Sequence, residues 1–181
     1  MSRATRWMLA GAMMMMAVPA AMGSALVSKG SNEIAVDGKV DFATELGTEI
    51  NVKLKYAYFV LDRLSIGARV TGQKNDAVRH HGLGLTLEYN FALPANFKPM
   101  FGTDLVPYLG GGEDYRYAKL FNENENAAVF IGEGGLKFFL TDTTAVTLSL
   151  VGELATEDIY ADDMEATDKD LSLQLGMRMY F

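Results

Sequence analysis

Few residues in this chain are placed to do chemistry. His80 and His81 are its only histidines. Such a pair could ligate a metal or act as a base in lipid acyl transfer or deacylation. Adjacent residues on a strand face opposite ways, so the two imidazoles make a poor chelate. No Gly-x-Ser-x-Gly or His-Glu-x-x-His motif accompanies them. Beside Arg79 the pair reads as a solvated loop end. A second cluster is acidic, with Glu157, Asp158, Asp162, Asp163, Glu165 and Asp168, and Asp170 just beyond. Carboxylates suit Ca²⁺ or Mg²⁺, but the Asp-x-Asp-x-Asp-Gly spacing is missing. The cluster reads as a solvated loop extended by self-repulsion. Asn122-Glu123-Asn124-Glu125-Asn126 reads as a polar loop tip. The chain has no cysteine, which removes disulfides, thiolate zinc sites, cysteine nucleophiles and a lipoprotein anchor. We expect no cofactor, no metal site and no enzymatic activity.

The third set of candidate residues consists of charges that recur at alternate positions. The elements that hold them come from the whole chain. It has 181 residues, 49% of them hydrophobic, and a net charge of −7. This excludes a disordered chain, and the acidic balance argues against nucleic acid. Residues 1–23 read as a secretory signal peptide. Arg3 and Arg6 precede an apolar run from Trp7 to Val18, and small residues after Pro19 allow cleavage as late as residue 25. The run is too short for a spanning helix, which needs about 20 residues. Trp7, the only tryptophan, leaves with this segment.

From Glu33 onward the period is two, the strand period. Ile34, Val36, Val40 and Phe42 alternate with Glu33, Asp37, Lys39 and Asp41. Ile50, Val52, Leu54, Tyr56 and Tyr58 alternate with Glu49, Asn51, Lys53 and Lys55. Leu64, Ile66, Ala68 and Val70 oppose Ser65, Gly67, Arg69 and Thr71. Leu83, Leu85, Leu87, Tyr89 and Phe91 oppose Gly82, Gly84, Thr86, Glu88 and Asn90. A fifth segment, 105–117, has its phase blurred by Gly110-Gly111-Gly112. Then follow Leu136, Phe138 and Leu140 against Gly135, Lys137 and Phe139. Val146, Leu148 and Leu150 oppose Thr147, Ser149 and Glu153. The last segment sets Leu171, Leu173, Leu175, Met177, Met179 and Phe181 against Asp170, Ser172, Gln174, Gly176, Arg178 and Tyr180. Eight strands of about 10 residues each match tilted membrane-spanning strands. The expected fold is all-β, an eight-stranded antiparallel up-and-down transmembrane barrel over residues 26–181.

Alternation alone does not say which face is outside, since a soluble ligand-binding barrel also alternates. Volume decides. An eight-stranded barrel has just enough interior for side chains to fill, and the large apolar face exceeds it. The other face is rich in glycine and carries charges of both signs. Inward charges can pair, whereas a lipid-facing Lys or Arg costs about 2–4 kcal/mol at the midplane. We therefore expect Lys39, Lys53, Lys55, Arg69, Glu88, Glu133, Lys137, Glu153 and Arg178 to form a lumenal network, with Asp37, Asp41 and Glu49. At this strand number a closed, ion-paired lumen is expected rather than a pore.

The aromatics Tyr56, Tyr58, Tyr89, Phe91, Phe138 and Phe181 are expected to form a girdle at one rim. Phe59, Phe139 and Tyr180 adjoin them in sequence and read as part of the same ring. Links at 61–64 and 141–144 are tight, and 92–104 is longer and contains proline. The links at 72–81, 118–126 and 155–167 read as long loops, expected outside the cell, with the tight turns in the periplasm.

The ending Gly176-Met177-Arg178-Met179-Tyr180-Phe181, the segment Pro107-Tyr108-Leu109-Gly110-Gly111-Gly112, and Gly134-Gly135-Leu136-Lys137-Phe138-Phe139-Leu140 before Thr141-Asp142 carry a resemblance. The mature chain resembles the small outer-membrane β-barrel family of OmpA-type and OmpW-like proteins. The resemblance implies an outer-membrane location. It also implies that Met177, Met179, Tyr180 and Phe181 act as a signal read by the barrel assembly machinery. It fixes no single activity. The expected partners are outer-membrane lipid and that machinery, with no nucleic acid, and the barrel is expected to be monomeric. The expected role is structural or surface-interactive, through acidic outer loops. The alternative is a narrow channel for small solutes.

Overall fold

The computed structural model describes residues 27–44, 47–74, 78–93, 104–120, 123–162 and 165–181. The expected signal peptide and its cleavage site lie outside them. Ten strands follow in chain order: β1 (Asn32–Thr44), β2 (Gly47–Leu61), β3 (Leu64–Lys74), β4 (Val78–Asn90), β5 (Asp104–Leu120), β6 (Glu123–Thr141), β7 (Thr144–Ala155), β8 (Tyr160–Asp162), β9 (Glu165–Thr167) and β10 (Lys169–Tyr180). Eight of them close into a barrel in the order β1-β10-β7-β6-β5-β4-β3-β2, and β8 pairs with β9 as a separate hairpin. Every pairing is antiparallel. Closure is made by β1 on β10, with Glu33 opposite Tyr180 and Asp37 opposite Gly176.

The alternating pattern explains why these segments become strands in this register. A slip of one residue would reverse every side chain across the wall. Ile34, Val52, Leu54, Ile66, Leu85, Leu109, Leu150, Leu173 and Met177 are exposed on the outer face. Glu33, Lys53, Arg69, Glu88, Lys137, Glu153 and Arg178 are buried inside. The large apolar side chains thus coat the barrel, and its core is polar. In water such a surface would be a severe liability, whereas in hydrocarbon it is the favoured one.

β5 keeps one phase through its glycines. Val106, Tyr108, Asp114, Arg116 and Ala118 are buried, and Leu109, Tyr115 and Tyr117 are exposed. β5 and β6 have 17 and 19 residues, well beyond the ~10 that a tilted strand needs to cross hydrocarbon. Their hairpin extends past the apolar belt. This corrects the expected long loop at 118–126, since pairing continues to Leu120 opposite Glu123. The expected loop at 72–81 shrinks likewise, because β3 runs to Lys74 opposite Arg79. The turns at 62–63 and 142–143 are tight, as expected. Arg63 takes a positive φ of 68° while Asp62 does not, and the β2/β3 register shifts between Phe59 and Leu61, which fits a bulged hairpin connection with one left-handed residue after the turn rather than a primed two-residue turn.

Candidate functional site

Among the described residues, charged side chains converge in the lumen, where they form two clusters. Nearer the β8/β9 hairpin, the Lys53 Nζ donates to Glu153 at 2.7 Å. Arg116 Nη1 donates to the other Glu153 oxygen at 2.6 Å and to the Tyr160 hydroxyl at 2.8 Å. Arg116 Nη2 also reaches Asp114 at 3.0 Å, and Arg69 Nη2 meets the second Asp114 oxygen at 2.7 Å. Nearer the turn rim, Lys55 lies 2.7 Å from both Glu33 and Glu88. Lys137 bonds the same two carboxylates and the Tyr180 hydroxyl. Arg178 pairs with Asp37 and lies 3.6 Å from Glu33 and from Glu133, which also accepts from Tyr108.

Six cations (Lys53, Lys55, Arg69, Arg116, Lys137 and Arg178) thus face six anions (Glu33, Asp37, Glu88, Asp114, Glu133 and Glu153). Several bonds span strands that are not neighbours, such as Lys53 on β2 to Glu153 on β7 and Lys137 on β6 to Glu33 on β1. They therefore cross the lumen rather than run along its wall. Glycines make room for them. A Cβ at Gly84 would collide with the Asp114 carboxylate, and one at Gly176 with Asp37 and Thr147. The cavity beside Lys55, Arg69, Glu88 and Glu133 is about 10 Å³, room for at most one water.

Among the described residues, an apolar cluster lies at each end of this polar core. At the turn rim, Phe59 and Phe139 pack on Tyr180 with ring centroids 6.3 and 5.2 Å away, and Val27, Val106 and Ala145 complete the cluster. Val27 is held there by the Arg63 amide, which donates to its carbonyl at 2.7 Å. At the other rim, Ile159 and Tyr160 bury against Ala118, Ala127, Val129, Ile131 and Val151. Burial, with the Glu153 carboxylate beside it, pushes the Tyr160 phenol well above its ordinary range.

The structure places the sequence-derived residues as follows. Lys53, Lys55, Arg69, Glu88, Lys137, Glu153 and Arg178 are buried in the lumen, and Glu133 is half-buried there. The side chains of Lys39, Asp41 and Glu49 lie outside the described residues. Glu33 is a hub that the sequence-derived network leaves out, although its parity puts it inside. Asp114 and Arg116 are missed because the glycine triplet hides the phase. The alternation Asp114-Tyr115-Arg116-Tyr117 is the signal that would have found them.

Tyr56, Tyr58, Tyr89, Phe91 and Phe181 are exposed on the outer face, and Phe138 is half-buried on it. Phe59, Phe139 and Tyr180 do not join that ring. They point inward and are buried, because each has the opposite parity to its aromatic neighbour. Outward aromatics also occur toward the other rim, at Tyr115, Tyr117 and Phe130. Of the residues expected to signal assembly, Met177, Met179 and Phe181 face outward and Tyr180 inward.

His80 is not solvated. It is buried, its Nε2 donates to Gln73 Oε1 at 2.8 Å, and its ring meets Tyr160 edge-on. His81 faces outward against Tyr117. The acidic segment is not simply an extended loop. Ile159 and Tyr160 anchor it into the barrel mouth, and it folds into the β8/β9 hairpin. Asp163 lies outside the described residues.

No protein-family model matches the chain, and no curated protein matches it. Solved structures do. The N-terminal β-barrel domain of Pseudomonas aeruginosa OprF is similar, with a TM-score of 0.59 and 19% identity over 84% of this chain and 98% of that one. Neisserial surface protein A (NspA) has a TM-score of 0.56 and 15% identity over 83% of this chain and 96% of that one. The fold is that of the small eight-stranded outer-membrane barrels.

Proposed function

We propose that this chain is an outer-membrane barrel with a non-conducting lumen, acting as a structural and surface-contact protein rather than an enzyme or a channel. The observation that carries this reading is the sealed core. Among the described residues, six cations and six anions fill the middle, with an apolar cluster at each end. The apolar coat around all eight strands supports the membrane location, and the fold shared with OprF and NspA points the same way. Contact chemistry is then left to the hairpin rim, where Glu157 and Asp158 are exposed. We place that rim outside the cell and the 142–143 turn in the periplasm. Insertion would run through the assembly machinery, reading the last strand and Phe181.

The test is membrane fractionation with gel mobility before and after heating, together with epitope tags at Asp163 and Asp142 on intact cells. The expected outcome is a heat-modifiable outer-membrane species in which antibody reaches the first tag and misses the second. A detergent-free soluble barrel would refute the location. Surface access at Asp142 would reverse the topology.

A further inference from the structure

Part of the outer face at the hairpin rim is basic. Lys74 on β3 stands directly opposite Arg79 on β4, and Arg79 directly opposite Lys119 on β5. All three side chains are exposed on the outer face. Like charges set directly opposite each other across strands are destabilising. The six lumenal cations each face a carboxylate, whereas these three have no ion-pair partner among the described residues. In a chain of net charge −7, three adjoining cations without an anion are the signature of an anionic ligand.

Their height in the wall narrows the ligand's chemistry. Arg79 lies ten residues along β4 from Tyr89, in the aromatic ring at the turn rim (89 − 79). At ~3.4 Å per residue and a tilt of about 40°, that is about 25 Å of height, which equals the apolar band of such barrels. Arg79 therefore stands where hydrocarbon gives way to headgroups. The tilt raises each step to the next strand by about 3 Å, so the three cations span about 6 Å in height. The headgroup layer on each side of the hydrocarbon is about 5–8 Å thick, so all three lie within it. The next row down pairs His81 with Tyr117, their ring centroids 5.4 Å apart. Below it Leu83, 63% exposed, lies between Val70 and Tyr115. Cation, amphipathic ring and apolar side chain thus succeed one another down the wall, in the order of the parts of a phospholipid.

We propose that Lys74, Arg79 and Lys119 form a binding site for the phosphate headgroup of an outer-leaflet lipid, whose acyl chain lies along Leu83 and its neighbours. The inference rests on the membrane placement and sidedness above, and it says which lipids the barrel would select. Arg79, in the middle, can hold a phosphate through two N–H donors. Lys74 and Lys119 flank it as point charges, on flexible stems that can lie along the wall while the ammonium stays in the headgroup layer. A free phosphate would use the cations but not the apolar strip beneath them.

The native chain lacks cysteine, so a single thiol carries a fluorophore to one point on the wall. The barrel is labelled at Leu83→Cys and refolded into phosphatidylcholine vesicles, with brominated phosphatidic acid or brominated phosphatidylcholine as quencher. Phosphatidic acid should show about tenfold the relative affinity, which is what about one to two basic contacts contribute at a membrane surface. Lys74→Gln, Arg79→Gln and Lys119→Gln together should abolish the preference, and Arg79→Lys alone should keep most of it. A label at Leu173→Cys, exposed on β10 across the barrel, should show no such preference. Added inorganic phosphate should leave the quenching at Leu83→Cys unchanged. Heat-modifiable mobility confirms that each variant is inserted, so failure of the membrane reading is seen separately. Equal quenching by the two lipids at Leu83→Cys in inserted protein would overturn the proposal, as would an equal preference at Leu173→Cys or one that survives the triple substitution. Loss of the preference in inorganic phosphate would assign the row to a soluble anion and overturn the lipid site.

Discussion

Replacing Lys137 with Met removes the ammonium that joins Glu33 on β1 to Glu88 on β4. Lys137 is fully buried and holds Glu33 at 2.9 Å. Breaking a buried ion pair from one side costs about 3–5 kcal/mol, because the abandoned charge keeps its desolvation penalty. Here Lys55 still contacts both carboxylates at 2.7 Å, so neither is left without a cation. We therefore expect the lower end, about 3 kcal/mol. With a urea slope of about 2 kcal/mol per molar, the unfolding midpoint should fall by about 1.5 M. Adding Glu88→Gln restores the charge balance of that layer, and Gln can still accept from Lys55. The double variant should recover about 2 kcal/mol relative to additive losses, a coupling in the range seen for residues in one network. The assay is urea unfolding of the refolded barrel in detergent, followed by heat-modifiable mobility. Purely additive losses from Lys137→Met and Glu88→Gln would refute the network reasoning.

Three further outcomes follow from the same geometry. Gly84→Ala drives a methyl into Asp114 and should cost about 1–3 kcal/mol by overpacking; Gly132→Ala, facing open space, should stay within about 0.5 kcal/mol in the same urea assay. Tyr160→Phe removes a hydroxyl that bonds Arg116 and Glu153; it should cost about 1–3 kcal/mol and speed amide hydrogen exchange in β8 and β9 ahead of the barrel strands. Phe139→Ala, which empties the inner aromatic cluster, should cost about 3–5 kcal/mol, whereas Phe138→Ala on the outer face should cost clearly less by the same unfolding measurement.

The eight barrel strands, their pairing partners and the inner-outer division are legible in the sequence because parity is a local property, whereas the short β8/β9 hairpin is not. Lys53, Lys55 and Arg178 can be assigned to the lumen from their neighbours alone. Parity fails where residue type misleads. At Phe59, Phe139 and Tyr180 an aromatic side chain suggests the girdle, but the strand phase turns it inward, where it closes the turn rim. The glycine triplet in β5 conceals Asp114 and Arg116, since glycine is compatible with either face. The hairpin rim is hidden for a different reason. Tyr160 and His80 meet because residues far apart in sequence cross the barrel mouth, and no local pattern encodes that contact. The acidic character around them suggests solvent, although Ile159 is fully buried.

The most direct test of the sealed lumen is conductance of the purified, refolded barrel in planar bilayers. With ion pairs crossing the interior and apolar clusters at both ends, the native protein should give no discrete current steps above the lipid baseline. Reproducible unitary steps from heat-modifiable, correctly folded protein would contradict the closed-core account and favour a narrow solute channel.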